Sequence, residues 1–215
     1  MADILLEEQS SPGTPSAGQG IIFIDTSASV LIHKDDSGGH HGGLCRAAIA
    51  AQGPGFAADT YITNSGLILP SFSMQAGMVF LWNISASKTG ASTATPIYQV
   101  RIGAAQTTGD TSVLTLTGPA QTAIADIGTL RIMLTCRSVG VTGVIQGTAW
   151  WTHTGTAAST TVQGTGFANN GTGHIEGTSG GFNNTALGGQ FIGLSINGGA
   201  ASVWTLTQSV GEWRV

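Results

Sequence analysis

Charge is what this chain most lacks. Seven lysines and arginines and eleven aspartates and glutamates make up 8% of 215 residues, against roughly 25% in ordinary soluble domains. A lone soluble enzyme seldom looks like this, because surface charge keeps monomers apart. A chain packed against copies of itself or against a scaffold can do without it. The net charge of −4 gives no electrostatic case for nucleic acid or an anionic membrane. Two cysteines, Cys45 and Cys136, do not make a disulfide framework, and both are expected reduced and buried. No apolar run approaches the roughly 18 residues of a membrane span. Residues 1–8 are acidic, with too short an apolar run for a signal peptide, so assembly in a cytoplasm is expected.

Catalytic motifs are absent too. There is no P-loop or dinucleotide fingerprint, and no Cys-x-x-Cys or His-Glu-x-x-His. From residue 60 on the acids are Asp110, Asp126, Glu176 and Glu212 alone. Glycoside hydrolysis needs two carboxylates flanking one cleft, and Asp35 and Asp36 sit in a turn. The expectation is a protein that is not an enzyme and holds no cofactor or metal.

Glycine, threonine and serine fill the space that charge leaves, and glycine alone counts 33. Period-two alternation is strongest over residues 77–103. Met78, Phe80, Trp82, Ile84 and Ala86 share one face, and Val79, Leu81, Asn83 and Ser85 the other. Tyr98, Val100 and Ile102 then alternate with Ile97, Gln99 and Arg101. The pair reads as a long hairpin or a sheet-to-sheet crossover. Further strands are expected at 112–117, 129–137, 144–153, 160–167, 191–197 and 202–208. Eight main strands suit an all-β, jelly-roll-like two-sheet sandwich.

The chain divides into three stretches. Residues 1–42 are an extended arm, with Ile4, Leu5 and Leu6 as its apolar anchor and Pro12 and Pro15 keeping it open, followed by a small hairpin over 20–38 that contains Phe23. Such a hairpin could hardly stand alone in water. It is expected to dock on copies of itself or on a partner, and an ordered arm implies another surface that holds it. Residues 43–59 are a connector with a helix of about two turns over 44–52, after a loop at 39–43. Residues 60–215 are the body, with an exposed loop pair over 168–189 and a tail, 210–215, that ends as an edge strand or packs on a neighbour.

Two constellations invite function. His33, His40 and His41 lie close in sequence, and in a trimer symmetry could gather them around a metal; the plainer reading is a polar glycine-rich loop. His153 and His174 read as ordinary surface residues. Trp150 and Trp151 point to opposite faces of one strand. A solvent-facing Trp near Asn169, Asn170 or Asn183 could stack on a sugar, but one Trp in the core and one at a subunit interface is the simpler assignment.

A proline-rich lead, then Gly18, Phe23, Asp25, an apolar strand with Leu31, and Lys34-Asp35-Asp36-Ser37-Gly38 resembles the N-terminal module of many tailed-bacteriophage virion proteins. The stretch from about Tyr61 to Val215 is similar to the β-rich bodies that follow it, notably at residues 105–111, 117–123 and 135–140. The resemblance implies a virion structural protein assembled in the host cytoplasm, a homotrimer whose partners are the major capsid protein or other virion proteins. It implies attachment through Ile4, Leu5, Leu6, Pro12, Pro15 and Phe23. Decoration or cement protein and head fibre are the favoured placements, because a tail fibre is usually longer and carries a shaft. A short tail fibre that meets a host-surface glycan is the alternative. Val79 and Leu81 are too apolar for free solvent, and with Trp150 they are the expected subunit interface.

Overall fold

Period-two alternation becomes strand wherever it is covered by the computed structural model, which describes residues 6, 8–48, 50–89, 93–121, 123–153, 174–199 and 203–215. The described chain is all β. In order the strands are β1 (Glu8–Gln9), β2 (Ile21–Asp25), β3 (Leu31–Lys34), β4 (His40–Ala47), β5 (Gln52–Gly55), β6 (Thr60–Tyr61), β7 (Leu67–Ile68), β8 (Val79–Lys88), β9 (Ile97–Gly103), β10 (Thr111–Thr117), β11 (Asp126–Ser138), β12 (Val144–His153), β13 (His174–Thr178), β14 (Phe191–Asn197) and β15 (Trp204–Arg214). The strand expected over 160–167 lies outside the described residues.

They form two sheets. The larger runs β1-β2-β3-β4-β15-β8-β11-β12-β13, with β5 also on β15; the smaller runs β10-β9-β14-β6, with β7 also on β14. β8 and β9 therefore belong to different sheets, and the stretch 77–103 is a crossover. Phe80, Trp82 and Ile84 of β8 and Leu130, Ile132 and Leu134 of β11 meet Tyr98, Val100 and Ile102 of β9 and Leu194 of β14 in one buried core. The sheets close tightly at one side: a Cβ on Gly147 of β12 would lie 3.0 Å from Leu134 Cδ2 and still nearer Leu114 of β10. Only glycine lets β10 seat there.

Four expectations need correction. Residues 44–52 form no helix, and 39–43 are not all loop: β4 pairs antiparallel with β15, Leu44 opposite Trp213 and Arg46 opposite Gly211. Helix preference in Leu-Cys-Arg-Ala-Ala is a few tenths of a kcal/mol per residue. An unpaired row of backbone groups on β15 outweighs it. The tail is no edge strand, since 210–214 lie inside β15, between β4 and β8. Trp213 is buried there and donates from Nε1 to the Ile68 carbonyl at 3.0 Å. The stretch 174–178 is strand β13, paired with β12. Finally, the hairpin β2–β3 docks on its own chain: β3 pairs with β4, and Phe23 and Ile32 join the main core.

Candidate functional site

The arm is the first surface. β1 pairs in parallel with β2, Glu8 against Ile24 and Gln9 against Asp25. Beyond it, Ser11 N–H donates to Ser71 Oγ at 3.2 Å. Lys34 Nζ donates to the Pro12 carbonyl at 2.6 Å and to Ser11 Oγ at 3.3 Å. Gly18 N–H donates to Asp36 Oδ2 at 2.6 Å. The surface that holds the arm is thus the chain's own hairpin. Asp25, fully buried, organises that hairpin: its carboxylate accepts from the backbone N–H of Ser27, Ala28 and Ser71 and from the Ser71 hydroxyl. A carboxylate so placed needs these donors to offset its lost hydration.

His40 sits at the centre of this assembly, 7% exposed. Its ring stacks on Phe72 at 3.8 Å and meets Phe23 edge-on at 6.3 Å. Nε2 is 2.7 Å from Ser11 Oγ, while Nδ1 is buried with no partner. The neighbouring His41 points the other way, toward His33 and into a hydrogen bond with Asp35 at 2.9 Å. That hydrogen bond, helped by the Gly39 N–H, holds the Asp35 carboxyl below its ordinary pKa. The three histidines do not converge, and no group of three His, Cys, Asp or Glu among the described residues is placed to hold a metal ion.

Of the expected attachment residues, Ile4 and Leu5 lie outside the described residues, Leu6 is exposed, and Pro12 and Pro15 are half-buried. Phe23 is a correction: at 1% exposure it fills the chain's own core and offers nothing to a partner. The outward face of the hairpin is carried instead by Ile22 and Leu31, each more than half exposed. Alternation puts them on the face opposite Phe23 and Ile32, but with both faces apolar it does not say which one is buried.

The outer face of the larger sheet is the second surface. Leu81 lies opposite Met133, and Met133 opposite Thr148; Asn83 lies opposite Arg131, and Arg131 opposite Trp150. Across the rows from Val79 to Ser85, the outward positions of β8, β11 and β12 carry a single charged side chain, Arg131, while the flanking strands add Glu212 opposite Leu81, Arg214 opposite Val79 and Glu176 opposite Thr148. Val79, Leu81 and Trp150 are half-buried and Met133 is exposed. The Arg131 guanidinium lies 5.1 Å over the Trp150 ring. Trp151 fills the core, edge-on to Trp204 at 5.5 Å, and its Nε1 donates to the Tyr98 hydroxyl. Cys136 is buried, which raises its thiol pKa, but Cys45, expected buried, is exposed because β4 turns that side outward.

A groove of about 240 Å³ opens where β9 and β10 meet the loop after β13, lined by Ile102, Thr111, Val113, Phe182, Asn183, Leu187 and Gln190. No charged side chain lines it. Asn183 is not near Trp150. Phe182 bridges Gly143 at one end of β12, and Trp150 is seven residues further along, about 23 Å at roughly 3.3 Å per residue, on the outer face. Asn169 and Asn170 lie outside the described residues.

No protein-family model matches the chain, and no curated protein does. Among solved structures, a peanut lectin with a nine-residue peptide (PVIWSSATG) overlaps 80% of this chain and 97% of its own, at 10% identity and a TM-score of 0.32. A likeness this loose carries no functional weight.

Proposed function

We propose that the chain is a non-enzymatic structural protein of a tailed-phage virion: a jelly-roll-like, homotrimeric decoration or cement protein, or a head fibre. The observation that carries the reading is the apolar strip Val79, Leu81, Met133 and Trp150 on the outer face of the larger sheet, bordered by Glu212 of β15 and Glu176 of β13, which suits burial against other subunits better than free solvent. Attachment runs through the arm and through the outward face of the hairpin, Ile22 and Leu31, in place of Phe23. The test is particle binding. Ile22→Asp with Leu31→Asp should abolish decoration of capsids while leaving the thermal midpoint within a few degrees, because both side chains already face water. Full retention of binding by the double variant removes the hairpin from the attachment surface.

One observation favours a second reading, a short tail-fibre or tail-associated protein that meets a host-surface glycan. The groove combines an aromatic ring with uncharged amide and hydroxyl groups, the chemistry that suits a neutral sugar. Copy number separates the two: hundreds per particle mean decoration, about a dozen mean a tail position. A glycan array probes the groove directly.

A further inference from the structure

We propose that His40 is a proton-operated latch on the N-terminal arm: the neutral ring holds residues 8–15 against the hairpin, and protonation releases them. The inference goes beyond the reading above, because it concerns the chain in solution whatever surface the arm meets.

The geometry requires a neutral ring. His40 is packed between Phe23 and Phe72 and is shielded from water. In either neutral tautomer Nε2 can bond to Ser11 Oγ. Protonation makes both ring nitrogens donors. Nδ1–H then finds no acceptor free: that atom is buried without a partner, and the Gln75 Oε1 nearby already accepts from the His40 backbone N–H at 3.3 Å. Nε2–H would also bring a second positive charge to the Ser11 oxygen, to which Lys34 Nζ already donates. A buried, unpaired donor on a new cation costs several times more than the contacts it would keep. The element that yields most cheaply is the arm, which is held by a two-residue parallel strand and a few side-chain bonds, while β4 is pinned on both edges.

The charged groups around the ring agree with that direction. Burial and then the Lys34 ammonium of β3 push the His40 pKa down from 6.5; Gln75 of the following loop, Asp25 of β2 and Asp35 of the turn oppose them and lose. His33 and His41 lie on the opposite face, stacked on each other at 5.7 Å, with His41 Nε2 2.9 Å from Asp35. A pKa depressed in the clamped state means that the released state binds the proton better. The latch is fully closed above the free-imidazole value of 6.5 and weakens as pH falls through and below it.

Amide hydrogen exchange reads the arm directly. Ser11 N–H is bonded to Ser71 Oγ, and Thr26 N–H to the Gln9 carbonyl. Between about pH 7.5 and 5, corrected for intrinsic exchange, protection of these amides should fall at least roughly tenfold while the amides of β8 and β11 stay protected. In His40→Gln the arm should show no such pH dependence, whatever its baseline. An arm that stays protected in the wild type at about pH 5, or one that is released identically in His40→Gln, overturns the proposal. Should that variant fail to fold, the wild-type NMR titration decides. Arm release that follows the His40 ring supports the latch, and release that follows His33 or His41 overturns it.

Discussion

At the scale of single residues, the molecule depends on a few polar groups and small side chains that touch several elements at once. Asp25 is the clearest case: its carboxylate joins the turn at Ser27 and Ala28 to Ser71, and Ser71 in turn receives the Ser11 N–H of the arm. Asp25→Ala leaves several buried donors without an acceptor and should cost about 2–3 kcal/mol, read by urea denaturation. Gly211 is a second case, of a different kind. A Cβ there would lie 2.8 Å from Cδ1 and Nε1 of Trp82, whose Nε1 donates to the Ser65 carbonyl at 2.8 Å. Gly211→Ala should therefore destabilise by roughly 1–3 kcal/mol through overpacking, with no change of charge and no positive φ to blame. Neither role could be read from the sequence. Asp25 stands in a turn-like context that explains an aspartate without any partner 46 positions away, and Gly211 is one glycine among 33.

At the scale of elements, β15 decides more than its composition suggests. It pairs with β8 along one edge and with β4 and β5 along the other. Removing residues 210–215 would strip Trp213 from the core and leave facing edges of β4 and β8 open, so the truncated chain should show no cooperative thermal transition by circular dichroism. Removing residues 1–20 should leave a cooperative transition, because the described residues of the arm cover the hairpin but supply none of the large buried side chains. The individual strands were largely legible. Seven of the eight expected main strands stand where alternation puts them, β15 running six residues past its expected end, and the eighth lies outside the described residues. Residues 40–47 were not legible, because Gly-Gly and a run of helix formers mask a segment whose partner, β15, lies about 165 residues on.

At the scale of the whole molecule, the proposed assembly follows from what the surface withholds. A face whose central strands hold Val79, Leu81, Met133 and Trp150, with Arg131 among them and Glu212, Arg214 and Glu176 only on the flanking strands, has an apolar strip that a second copy could cover. Sedimentation at micromolar concentration should give a trimer, and Leu81→Asp should shift it toward monomer by placing a charge where burial must strip its water. A stable wild-type monomer would remove the trimer from the proposal. Acid adds a second handle: stability should begin to fall below about pH 6.5 as His40 is protonated, and His40→Gln should flatten that limb of the profile.

The sequence by itself determined that the chain is β throughout its main strands and which side chains of those strands turn inward. Both follow from the two-residue period of a pleated backbone, which is local. Tertiary structure alone decided which strand lies beside which, that the hairpin and arm fold back on their own chain, and that Phe23 faces the core while Ile22 and Leu31 face water. A strand's backbone groups are satisfied by whichever edge reaches them, and that edge is fixed by the packing of side chains far away in sequence. The stretch 77–103 shows both halves of this: its faces are written in its alternation, but its two strands lie in different sheets because each finds a better partner elsewhere, β8 between β15 and β11, β9 between β10 and β14.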